Sequence, residues 1–270
     1  MNRITRTFEK LKQDGKKAFI AYTAAGDPDF SRSLEVMKGL ADVGADILEI
    51  GLPFSDPLAD GIVNQMAAER ALKAGMTTAR VLDLVREFRK THNTPIVMFT
   101  YLNPIFQYGF ERFQQDAVEA GADGILLLDL PPDEAVLGEG FAPHPELLQI
   151  RLIAPNSPPE RAKKLCASAQ GFVYALSRTG VTGAHGGPSV EIGALVRGLK
   201  EHSPVPVCVG FGISTPEQAR MVAEVADGVI VGSALVKVVE NHAQAERPQD
   251  AVCALAASLI QAVRTVKGAE

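Results

Sequence analysis

Short apolar runs punctuate the chain at regular intervals: Ala18–Tyr22, Ile47–Ile50, Ile96–Phe99, Ile125–Leu128, Gln149–Ala154, Phe172–Leu176, Val205–Val209 and Val229–Val231. Most are apolar at nearly every position, the pattern of parallel strands buried on both faces. Between them the apolar positions change period. Leu34, Met37, Lys38 and Ala41 fall at helical spacing, and so do Val81, Leu84, Val85 and Phe88. A turn also repeats before the strands, as Val43-Gly44-Ala45-Asp46, Ala120-Gly121-Ala122-Asp123 and Val225-Ala226-Asp227-Gly228. Glycine just past a helix end takes the left-handed cap conformation, and a short turn then feeds the next strand. Thr215-Pro216-Glu217-Gln218 reads as a helix start, with an N-cap, proline in the first turn and glutamine at the capping-box position.

Eight strand–helix units without a break in composition predict one α/β domain over residues 1–270, a closed (β/α)8 TIM barrel rather than an open doubly wound sheet. Two segments fall outside the repeat. Ile4, Phe8 and Leu11 form an amphipathic stripe that predicts an extra N-terminal helix, and the long interval between the second and third strands predicts an inserted loop. With 46% hydrophobic and 22% charged residues, the chain can bury a large core. Its net charge of −5 and lack of a Lys/Arg block disfavour a nucleic-acid surface. Cys166, Cys208 and Cys253 are isolated and odd in number, which reads as apolar filling in a reducing compartment. The N-terminus lacks a long apolar stretch, and Ala251–Ile260 is too short to span a bilayer, so a soluble cytoplasmic protein is expected.

Candidate chemistry concentrates where such a barrel places its active site, at the C-terminal strand ends. Glu49 lies inside the apolar second strand, where burial raises a carboxyl pKa into the range of a proton shuttle. A structural carboxylate paired with an arginine or an amide is the alternative. Asp60 follows in the inserted loop, Asp129 ends the fourth strand, and Tyr174 lies in the sixth. Asp56 and Asp60 also suit ordinary turn capping. Gly210-Phe211-Gly212 and Gly232-Ser233-Ala234 follow the seventh and eighth strands, the loops that form the phosphate site in many barrels. Ser177–Gly187 carries four glycines in eleven residues, the composition of a closing lid or of a flexible connection. The histidines, His185 among them, show no metal-ligand spacing.

The run Leu48-Glu49-Ile50-Gly51-Leu52-Pro53-Phe54-Ser55-Asp56-Pro57-Leu58-Ala59-Asp60-Gly61 closely resembles the signature of the tryptophan synthase alpha subunit family. The likeness continues through Ala25–Pro28, Tyr101–Pro104, Asp129–Pro131, Ser177–Gly183 and the two glycine loops. It implies a lyase of tryptophan biosynthesis that splits indole-3-glycerol phosphate into indole and glyceraldehyde 3-phosphate by a retro-aldol reaction. By that resemblance Glu49 is the acid/base, Asp60 accepts the indole N–H, and Tyr174 is an auxiliary group. Tyr22, Phe99, Leu126 and Phe211 match pocket positions, and Thr182 matches a lid threonine. Gly183, Gly212, Gly232 and Ser233 match phosphate-binding positions.

The resemblance further implies a beta subunit partner in a two-alpha, two-beta assembly, contacted through Pro53, Asp56 and Asn103. No cofactor is expected in this chain, pyridoxal phosphate belonging to the partner. A stand-alone lyase and a non-catalytic activating partner are the competing readings. Ala24, Ile62 and Asn64 depart from the family pattern, which has threonine, proline and an aliphatic residue there.

Overall fold

The computed structural model describes residues 1–130, 142–177, 188–210 and 212–267. The strands are β1 (Ala18–Ala24), β2 (Ile47–Gly51), β3 (Ile96–Thr100), β4 (Gly124–Leu127), β5 (Leu148–Gln149), β6 (Arg151–Ile153), β7 (Val173–Leu176), β8 (Val207–Gly210) and β9 (Gly228–Val231). They form one sheet in the order β5-β4-β3-β2-β1-β9-β8-β7-β6, and every recorded pairing is parallel. The two edges of this sheet are neighbours in sequence. What reads as a fifth strand is divided at Ile150, because its first half pairs with β4 and its second half with β7. Ile150 bridges the halves and donates its N–H to the Ile125 carbonyl at 2.9 Å. Nine ladder segments therefore make the eight staves of a (β/α)8 barrel. The strand expected from Val205 begins two residues later at Val207, since Pro206 has no N–H for the ladder.

The helices are α1 (Arg3–Gln13), α2 (Phe30–Asp42), α3 (Ile62–Lys73), α4 (Thr78–Arg89), α5 (Leu102–Tyr108), α6 (Phe110–Ala120), α7 (Pro159–Ala167), α8 (Pro188–Lys200), α9 (Pro216–Ala223), α10 (Ser233–Asn241) and α11 (Pro248–Arg264). Their apolar stripes explain why they form and what they cover. Val81, Leu84, Val85 and Phe88 of α4 are all fully buried in the layer between sheet and helices. The capping box at Thr215 and Gln218 is present in both directions. The insertion after β2 contains a whole extra helix, α3, as well as the loop. Among the described residues no helix is long and apolar enough to cross a membrane.

The barrel interior forms a second core. Ala18, Ile20, Ile47, Val97, Leu126, Phe172, Cys208 and Ile230 point inward and meet Ile4, Phe8 and Leu11 of α1. The Phe8 and Phe172 rings lie 5.9 Å apart. Thus α1 closes the N-terminal end of the barrel, leaving the C-terminal end for chemistry.

The repeated turn has a second purpose beyond its glycine. Gly44 and Gly121 adopt φ of +100° and +101°, as helix caps. The aspartate of each turn then accepts a backbone N–H from the adjacent strand: Asp46 from Phe19 at 2.7 Å, Asp123 from Ile96 at 2.9 Å and Asp227 from Val207 at 2.9 Å. Each also pairs with a cation, Arg264, Arg3 with Arg89, and Lys200 respectively. A cleft of about 490 Å³ at this end is bounded by Arg3, Arg6 and Asp123. Arg3 and Asp123 there already satisfy each other, so the groups at this end hold the structure.

Candidate active site

Strand alternation places Glu49 on the face of Ile47, inside the barrel, near the C-terminal end of β2. It is 1% exposed. Neither carboxyl oxygen has a hydrogen-bond partner among the described residues. Burial alone pushes its pKa from the ordinary 4.5 up to about 8, because no compensating donor favours the charged form. A carboxyl left buried and unpaired is costly to a fold, and a strongly shifted group of this kind in a barrel mouth is a candidate functional position. The structural-carboxylate alternative requires a partner that none of the described residues supplies.

Tyr22 stands beside Glu49 in the β1–β2 register. Its ring meets Phe99 of β3 edge-on, with centroids 5.1 Å apart. Tyr22 can lie across the strand ends because Gly51 has no side chain: a Cβ there would collide with the tyrosine hydroxyl. Gly210 does the same for Tyr174, whose hydroxyl would sit 2.7 Å from an added Cβ. Both phenols are held well above their usual pKa, first by burial and then by the Glu49 and Asp60 charges. They therefore stay neutral. Leu126, fully buried in β4, completes the apolar floor.

Asp60 is half-buried on the inserted loop just before α3. Its Oδ2 accepts the Tyr101 hydroxyl at 2.8 Å, and its Oδ1 accepts the Asn64 amide at 3.4 Å. The Tyr101 oxygen in turn accepts the Ala59 N–H at 3.0 Å, so the hydroxyl proton is directed at Asp60. Burial raises the Asp60 pKa, and the two side-chain bonds oppose that rise. Asp60 and Glu49 thus occupy unlike surroundings, one bonded on both oxygens and one bare, as a division of acid/base labour requires.

Gly232 and Ser233 lie where β9 passes into α10, whose N-terminus carries no side-chain cap. Orphan N–H groups and the positive end of the helix dipole suit an anion at that point. Gly232 also packs against Tyr22, with its virtual Cβ 3.5 Å from the tyrosine Cβ, so the phosphate-type loop adjoins the acid-bearing wall. Gly212 adopts φ of +70° after β8. Thr182, Gly183, His185 and Phe211 lie outside the described residues.

On the outer rim Pro53 is half-buried, while Asp56 and Asn103 are exposed. Leu58, Ile62 and Phe106 are 92%, 68% and 58% exposed. Asp129 does not enter the acid cluster; it accepts the Leu102 N–H at 2.7 Å and caps α5. Cys166 and Cys208 are buried fillers, while Cys253 is only half-buried. Among the described residues no His/Cys/Asp/Glu group has metal-site geometry.

Sequence reasoning did not single out Tyr101 and Asn64 as holders of Asp60. Tyr101 was legible in principle, as a phenol directly following an apolar strand on the catalytic end. Asn64 carries only the signal of a polar residue four positions after an acid, one helical turn away.

Comparison with known proteins assigns the architecture to a family. The family model for the tryptophan synthase alpha chain matches residues 8–264. Tryptophan synthase alpha chains from Geobacter sulfurreducens and Carboxydothermus hydrogenoformans are 48% and 44% identical to this chain. The first alignment covers 91% of this chain and 93% of its relative; the second covers 98% and 100%. The solved tryptophan synthase subunit alpha of Legionella pneumophila superposes with a TM-score of 0.89 at 43% identity, covering 98% of this chain and all of the other. A tryptophan synthase structure from M. tuberculosis, in an aminoacrylate-bound form, gives 0.86 at 34% identity over 98% of this chain and all of that one. The fourteen-residue run, the (β/α)8 barrel and these matches agree: the chain belongs to the tryptophan synthase alpha chain family.

Proposed function

We propose that Glu49 moves the protons in the family's reaction, the cleavage of indole-3-glycerol phosphate to indole and glyceraldehyde 3-phosphate. The buried, unpaired Glu49 carboxyl carries this reading. With a pKa near 8 it begins protonated at neutral pH. It first gives its proton to indole C3, which breaks ring aromaticity and leaves positive charge on the indole nitrogen. The resulting carboxylate then takes the proton of the glycerol hydroxyl. As that O–H electron pair becomes the aldehyde C=O, the bond from C3 to the glycerol carbon breaks and its electrons restore the indole ring. The carboxyl ends protonated, ready for the next turnover.

Asp60 accepts the indole N–H and stabilises the transient charge, a contribution made only in the transition state. Tyr174 flanks the reacting carbon as a neutral phenol. Tyr22, Phe99 and Leu126, with Phe211 and Thr182, hold the ring; Gly232 and Ser233, with Gly212 and Gly183, hold the phosphate through backbone N–H groups. The reaction needs no cofactor in this chain.

Family membership implies a beta-chain partner. The apolar rim of Leu58, Ile62 and Phe106 around Pro53, Asp56 and Asn103 suits that docking, in a two-alpha, two-beta assembly in the cytoplasm with pyridoxal phosphate on the partner. Indole release from indole-3-glycerol phosphate, measured with and without a beta chain, tests the reading. Turnover is expected to rise on adding the beta chain. Equal, rapid turnover by the purified chain alone would assign a stand-alone lyase instead, and absence of turnover in both would leave only an activating partner.

A further inference from the structure

We infer that Asn64 is a positioning residue for Asp60, its amide forming with the Tyr101 hydroxyl a two-sided clamp that fixes the carboxylate for the indole N–H. This inference rests on the reading of Asp60 given above. Asn64 occupies the first turn of α3, one helical turn beyond Asp60, and donates from Nδ2 to Oδ1 at 3.4 Å. Tyr101 holds the other oxygen at 2.8 Å. The loop itself is tied down by Gln65, whose amide donates to the Asp60 carbonyl at 2.8 Å, and by the Ala59 N–H on the Tyr101 oxygen. Each carboxylate oxygen keeps a second acceptor position, so the clamp orients Asp60 without using up its capacity for substrate.

The remaining atom of Asn64 argues for function over packing. Its Oδ1 is buried and has no hydrogen-bond partner among the described residues. An orphaned buried carbonyl is destabilising, because it loses its bond to water and gains none in return. An apolar residue would remove that penalty, and the neighbouring Val63 already packs against the cluster of Tyr22, Ala24, Ala67 and Val236. The amide cannot simply be reversed, because its carbonyl would then face an ionised carboxylate. At 3.4 Å the bond is long, and catalytic contacts of this kind shorten when substrate arrives.

The titratable groups facing Asp60 come from three directions: Tyr22 on β1, Tyr174 on β7 and Tyr101 after β3. Asp60 makes no ion pair among the described residues. Only the phenol and the amide therefore oppose the rise in its pKa caused by burial.

The test measures kcat/KM for indole release against pH, with the beta chain present, for wild type, Asn64→Leu, Asn64→Asp and Asp60→Asn, together with thermal melting of each. Asn64→Leu is expected to melt no lower than wild type yet to lose about 10-fold in kcat/KM at neutral pH. Its acid limb should move up by about half a pH unit, because a bond favouring the carboxylate is gone. Asn64→Asp should move the limb further, since a second carboxylate then faces Asp60. An unchanged limb and unchanged kcat/KM in both Asn64 variants, with Asp60→Asn inactive, would overturn the role of Asn64 alone. An active Asp60→Asn would overturn the reading of Asp60 and this inference with it.

Discussion

Replacing Glu49 with glutamine is expected to lower kcat for indole release by about 10²–10⁴-fold, the usual contribution of a positioned general acid/base. The amide fits the same space, so KM should change little, and the loss should fall on the chemical step. On the proposed mechanism both proton transfers run through this one side chain, and glutamine supports neither. Tyr174 cannot substitute as a base, because burial and the two acids hold its phenol neutral. Steady-state kinetics with the beta chain present check this. A Glu49→Gln variant with wild-type kcat would remove Glu49 from the mechanism.

The same substitution is expected to stabilise the fold, increasingly so as pH rises. Glu49 has a pKa of about 8 when folded against an ordinary 4.5. Below 4.5 the carboxyl is protonated in both states and makes no pH-dependent difference. Between 4.5 and about 8 only the unfolded chain ionises it, so wild-type stability falls with pH at about 1.4 kcal/mol per pH unit. Above about 8 both states are ionised and the loss is complete, roughly 5 kcal/mol in all. Glutamine does not titrate. The difference in unfolding free energy between the variant and wild type should therefore climb from pH 5 to pH 8 and then level off. Denaturant unfolding at a series of pH values reads it directly, and a difference independent of pH would show that Glu49 ionises as freely in the fold as out of it. Gaining stability while losing activity is the expected signature of a site held in an unfavourable state for function.

The barrel was legible because its parts are local. Each buried strand is a run of apolar residues, and each covering helix changes the period, as α4 does with Val81, Leu84, Val85 and Phe88. The N-terminal stripe of Ile4, Phe8 and Leu11 predicted a helix, and the structure adds where it goes, into the open end of the barrel. Strand boundaries were less legible. The division at Ile150 depends on the stagger between β4 and β7, which no single segment encodes.

The burial of Glu49 could be read from the apolar flanks of its own strand, whereas its lack of a partner depends on the neighbouring elements and came only with the structure. The surroundings of Asp60 could not be read that way. Tyr101 reaches it from 41 residues away, through the closure of neighbouring staves. The turn aspartates were likewise visible only as repeats. Their service to the ladders of adjacent strands depends on pairs such as Asp46 with Phe19, 27 residues apart in sequence.

On the proposed mechanism Glu49 enters the reaction carrying a proton at neutral pH. Carboxyl carbon NMR of ¹³C-glutamate-labelled protein, with Glu49→Gln identifying the resonance, measures that proton directly. One glutamate is expected to titrate with a midpoint near 8 and to be absent from the variant. A Glu49 midpoint between 4 and 5 would contradict it.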